Sequence, residues 1–127
     1  MKLSQVAIQL YTLRDFCKTA EELAVTAKKV RSIGYEAVQI SGVGPIPESE
    51  LVRIFTGEGL TICATHEPSE QVLDEPDRVI DRLQALGCKL TAYPYPRGID
   101  FTNTEHIDTL IAQLDAAGAK LRAAGLA

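Results

Sequence analysis

His66 closes an apolar run at 60–65, in the order Ala64-Thr65-His66-Glu67. An imidazole titrates near neutral pH and suits proton transfer or metal ligation equally. At a strand end it meets either a ligand or a loop backbone group. Glu67 is adjacent, and neighbours on a strand face opposite sides, so it is expected to be a solvated loop carboxylate rather than a partner of His66. Gln9 and Gln39 are polar residues inside apolar runs. Each either hydrogen-bonds a ligand or is satisfied by a polar neighbour inside a barrel. Tyr11, Tyr93 and Tyr95 fall just past apolar runs, where an aromatic face packs on a sugar ring or simply on the rim. Arg14 beside Asp15 reads as a local ion pair, and His106, at the start of a helical pattern, as a surface residue.

Other chemistry is excluded by missing motifs. Gly42-Val43-Gly44 has no third Gly opening a helix, so it is only a fragment of a dinucleotide fingerprint. There is no Gly-rich loop ending in Gly-Lys-Ser/Thr and no Gly-x-Ser-x-Gly elbow. Cys17, Cys63 and Cys88 are an odd, widely spaced set without a CxxC pair, which fits reduced thiols in the cytoplasm better than a disulfide framework or zinc site. Cys63 and Cys88 lie in apolar runs and are expected to be buried as small hydrophobes. No second His or carboxylate cluster completes a metal site with His66.

The elements that hold these residues repeat four times. An apolar run at 6–10 is followed by Thr19-Ala20-Glu21-Glu22, a capping box in which the Thr19 hydroxyl accepts the Glu22 N–H. Leu23, Ala27, Val30 and Ile33 then recur at helical spacing, and Gly34 ends the helix. A strand at 35–40 leads to a helix opened by Pro47, faced by Leu51, Ile54 and Phe55 and ended by Gly59. A strand at 60–65 leads to a helix begun at Asp74 and Pro76, lined by Val79, Ile80, Leu83 and Leu86 and stopped by Gly87. A strand at 90–93 precedes a second capping box, Thr102 to Glu105, and a long helix marked by Ile107, Leu110, Ile111, Leu114 and Leu121. Gly118 interrupts that helix at a cost of about 1 kcal/mol relative to Ala. Gly125 ends it, and Leu126 and Ala127 begin what reads as a fifth strand.

Alternating strands and helices predict an α/β fold, a parallel sheet with right-handed crossovers, as one domain over 1–127. Helix-to-strand turns are a Gly and a residue or two. The long connections, 11–18, 41–47, 66–73 and 93–101, all follow strands. Ligands of parallel α/β proteins bind at those carboxyl ends. A net charge of −4 argues against a nucleic-acid surface. No apolar run approaches the ~20 residues of a membrane span, and the opening residues do not read as a signal peptide.

The run 6–15, VAIQLYTLRD, resembles the first strand and loop of the sugar phosphate isomerase/epimerase family, TIM barrels related to xylose isomerase. The likeness continues through IGYEAVQI at 33–40, Gly59-Leu60 leading to Ala64-Thr65-His66, ALGCK at 85–89 and LRAAGL at 121–126. It implies an eight-unit barrel of ~250 residues, of which this chain is the amino-terminal half: four parallel βα units, half of a (β/α)8 barrel, strand order 1-2-3-4.

The family's chemistry, proton transfer beside a carbonyl, isomerises or epimerises a sugar or sugar phosphate in carbohydrate metabolism. A divalent metal (Mn, Mg or Zn) polarises the substrate oxygens. The family's metal ligands and main acid/base carboxylates lie on the fifth and later strands, so this chain alone is expected to bind no catalytic metal and to be inactive. Among its own residues, the resemblance implies a catalytic role for His66. Gln9, Tyr11, Gln39 and Tyr93 are the candidate substrate-binding residues. Gln39 stands where the family often has Glu.

Two other readings stay open. Four units leave two bare sheet edges, which invite pairing, so the chain is expected either to join a carboxyl-terminal half or to self-associate, two copies closing an eight-stranded barrel as a homodimer. A flavodoxin-like binding domain with strand order 2-1-3-4 is the other.

Overall fold

The computed structural model describes residue 2 and residues 5–127. Thr19 caps the first helix, α1 (Ala20–Ile33), as its sequence predicts. Its hydroxyl accepts the Glu22 N–H at 3.2 Å, and the Glu22 carboxylate accepts the N–H groups of Thr19 and Lys18 at 3.1 and 3.0 Å. Leu23, Thr26, Ala27 and Val30 are buried, but Ile33 is 73% exposed and does not close the buried stripe. Thr19→Ala removes one half of a reciprocal cap and is expected to lower stability by about 1 kcal/mol, read as a fall in the urea midpoint at constant slope.

Four parallel strands follow in sequential order: β1 (Ile8–Gln9), β2 (Ala37–Ile40), β3 (Thr61–His66) and β4 (Thr91–Ala92). Ile8 is paired with Val38, Ile40 with Thr65 and Thr65 with Thr91. Between them run α2 (Glu48–Gly57), α3 (Ser69–Asp74) and α4 (Pro76–Leu86), and α5 (Thr104–Ala123) follows β4. Helices α1, α2, α4 and α5 touch in succession, forming one layer over one sheet face. Val38 and Ile40 turn toward that layer and are buried, joining Leu10, Leu23, Leu51, Phe55, Val79 and Leu83 in a single core. The sequential order and the one-sided layer are those of consecutive barrel units, half a (β/α)8 barrel. The order 2-1-3-4 of the doubly wound alternative is not adopted.

Several expectations are corrected. Strands β1 and β4 are shorter than their apolar runs; β1 ends where residues from Leu10 to Phe16 coil into a 3-10 helix. The connection 66–73 is not all loop: α3 occupies its end, burying Val72. The last helix is capped by Asn103, whose side chain accepts the Glu105 N–H at 3.0 Å, while the Thr102 hydroxyl donates to Asp100 at 2.7 Å instead. Gly118 does not break α5, which runs through it.

Gly34, Gly59, Gly87 and Gly125 all have positive φ, and the first three turn the chain into β2, β3 and β4. After Gly125, Ala127 donates its N–H to the Lys89 carbonyl at 2.9 Å and accepts the Thr91 N–H at 2.7 Å. These two bonds follow the pattern of one parallel rung beside β4.

Candidate functional site

The sheet face opposite the helices carries the polar residues. Gln9 and Gln39 are register partners, and the Gln9 Nε2 donates to Gln39 Oε1 at 3.1 Å. Each amide therefore keeps a free donor or acceptor for a ligand. Two residues on from Gln39, Ser41 lies 3.3 Å (Oγ) from the Nδ1 of His66, which ends β3. Two of the expected residues thus pair with each other, and a third pairs with a serine that its sequence position did not mark.

The loops around them are cross-tied. Gly44 donates to the Cys17 carbonyl at 2.8 Å, and Lys18 Nζ donates to the Gly42 carbonyl at 3.3 Å. Gly44 has φ +79°, and a Cβ there would lie 2.3 Å from the Ile46 nitrogen, so the tight turn requires glycine. Tyr11 is half exposed at the rim beside Gly42. Arg14 stacks over its ring at 4.5 Å and donates to its carbonyl at 2.9 Å, in place of the expected pair with Asp15. Tyr93, half-buried, packs on the core just past β4, and Tyr95 is exposed. No side-chain hydrogen bond joins Tyr11 or Tyr93 to the two polar pairs among the described residues.

A cleft of about 560 Å³ opens beside these loops, lined by Ser41, Gly42, Glu48, His66, Gln71 and Arg82 among others. It reaches outward over α4 rather than across the Gln9–Gln39 face, so the cleft and the inner polar face meet only at Ser41 and His66. Its wall holds an ion-pair triad. Arg82, from α4, donates its Nε to Glu67 at 3.1 Å and its Nη1 to Glu48. Glu67 is buried, its side chain 5% exposed, which corrects the expectation of a solvated loop carboxylate. It does face away from His66, as strand alternation requires.

His106 is half-buried, and its Nδ1 accepts the Asp100 N–H at 3.2 Å, a structural role at the head of α5. Hydrogen bonds from Thr102 hold the Asp100 carboxyl below its ordinary range. Burial pushes the thiols of Cys17, Cys63 and Cys88 up, so none is poised as a nucleophile. Cys88 is buried as expected, whereas Cys63 sits half-buried at a β2–β3 register shift and donates to the Val38 carbonyl at 3.2 Å.

The donors around His66 do not fit a catalytic divalent metal. Its neighbour is a neutral hydroxyl, and the adjacent carboxylate is committed to Arg82. Among the described residues no three His, Cys, Asp or Glu side chains converge.

The fold and site define a protein of consecutive parallel βα units with a polar carboxyl-end face. Comparison with protein-family models and with curated proteins gives no match. Among the described residues no helix is long and apolar enough to cross a membrane.

Proposed function

We propose that the chain forms the amino-terminal wall of a sugar isomerase/epimerase-like barrel and binds a small sugar or sugar phosphate, in cytoplasmic carbohydrate metabolism. The observation that carries this reading is the pair of polar couples, Gln9–Gln39 and Ser41–His66, at the carboxyl ends of neighbouring strands. Two carboxamides side by side offer donor and acceptor to adjacent hydroxyls. The Tyr11 ring at the rim suits a C–H face of a sugar. His66, held by Ser41, is placed to hold or move a proton at a substrate oxygen.

The metal that such barrels use would draw its ligands from outside this chain. The chain alone is expected to be inactive with Mn²⁺, Mg²⁺ or Zn²⁺, and its part is to bind and orient. Titration with pentoses, hexoses and their phosphates, followed by NMR, is expected to move the Gln9 and Gln39 side-chain amides and the His66 ring together at millimolar ligand. Unmoved signals with every sugar, or robust isomerase activity of the chain alone, would overturn the assignment.

A second reading, self-association into an eight-stranded homodimer, is favoured by a sheet whose outer strands, β1 and β4, pair with no further strand among the described residues. Light scattering at micromolar concentration then gives twice the chain mass.

A further inference from the structure

Two apolar surfaces lie at opposite ends of the helical layer. Beside β1, a groove of about 580 Å³ has Ile8, Leu13 and Val30 in its walls, with Phe16, Val25 and Ile33 each more than half exposed along it. At the β4 end, Ile111 of α5 is 53% exposed, between half-buried Ile107 and Leu114. These three recur at helical spacing on a strip of α5 that adjoins the one formed by Leu110, Ala117 and Leu121, which are buried.

The chain as a whole, its uncovered inner sheet face included, exposes more area than a closed monomer of its size. A folded monomer of 13.8 kDa ordinarily exposes about 6,600 Å². This chain exposes 7733 Å². The surplus of about 1,100 Å² per copy is more than the roughly 800 Å² per partner that a standard stable interface buries.

The charges discriminate among occupants. On α1, Lys29 stands between Val25 and Ile33, four residues from each. On α5, Asp115 stands four residues beyond Ile111. All are exposed, and neither Lys29 nor Asp115 is in an ion pair among the described residues.

We propose that the groove along α1 of one copy receives the Ile107–Ile111–Leu114 side of α5 of a second copy, in a two-fold dimer that makes this contact twice. The proposal rests on the self-association reading above and supplies its interface. In a closed ring of parallel units the last helix of one copy lies parallel to the first helix of the next. Counted from their first residues, Ala20 and Thr104, Val25 then comes level with Thr109 and Lys29 with Gln113, so Ile111 and Asp115 each lie two residues, about 3 Å, further along. Glu21 comes level with Glu105, a like-charge contact that exposure to solvent screens. In this dimer β1 of the partner runs alongside β4 beyond the rung that Ala127 makes opposite Leu90.

The test uses the full chain in a Cys63→Ser background. Val25→Cys and Ile111→Cys chains are mixed and treated with a short bismaleimide, alongside each variant alone and light scattering of the untreated chain. A cross-linked dimer in the mixture, and in neither variant alone, is the expected result. Lys29→Glu is expected to weaken the dimer about three-fold, with Asp115→Lys in the same chain restoring it. A dimer in which only Val25→Cys links to itself, or neither links, overturns this interface and leaves self-association standing. A monomer overturns both.

Discussion

Arg82→Met is expected to cost the fold about 3 kcal/mol at neutral pH, because it strands a carboxylate that the fold has taken out of water. Glu67 is almost wholly buried at the end of β3, and Arg82 Nε is its charged partner. Glu48, more exposed, can turn to solvent and adds little. The pair itself contributes less than its rupture costs, since desolvating both groups offsets most of their attraction. Arg82→Met/Glu67→Leu should therefore recover most of the loss. Urea unfolding of the two single variants and the double variant measures this as a coupling energy. A single Arg82→Met variant as stable as the parent would show that Glu67 finds water or another donor.

Phe55→Ala is expected to be more severe, about 3–5 kcal/mol, and irreparable by a second substitution of this kind. Phe55 is fully buried and is the largest of the completely enclosed side chains. Truncation removes an aromatic ring from α2 and leaves a void that neighbouring helices cannot fill without moving. Phe55→Leu keeps much of the volume and should cost about 1 kcal/mol. With total stabilities of about 5–15 kcal/mol usual for a domain, Phe55→Ala consumes a large share. Loss of the cooperative transition in thermal unfolding, against its retention in Phe55→Leu, checks the expectation.

The two sites also mark what the amino-acid sequence reveals and what it withholds. Helices and strands were legible because their signals are local: Thr19 and Glu22 cap within one turn, and Gly34 and Gly87 end helices where the apolar spacing stops. The Arg82 triad was not, because its members lie 15 and 34 residues apart and meet only when α4 packs over the β3 end. Gln9 and Gln39 stood out as polar residues in apolar runs, but that each is the other's partner follows from strand register. Ser41 carried no signal of its own until pairing set it beside His66. The misplaced cap on α5 is a competition between neighbours: Asp100 takes the Thr102 hydroxyl, and Asn103 caps in its stead. Helix α3 is too short to show a period, with Val72 and Ser69 its buried residues.

Strand length rises from two residues in β1 to four in β2 and six in β3, then falls back to two in β4. Each unit leans on its sequence neighbours, as in a linear array with nearest-neighbour coupling. Backbone opening in such an array starts at the ends and runs inward, so β2 and β3 are the last to yield and the outer units breathe against them. His66 ends the longest strand, while Gln9 and Tyr93 lie in or just past the two shortest. A molecule spanning the inner polar face would thus find a firm centre and two yielding sides, and its own contacts would set how far those outer units close.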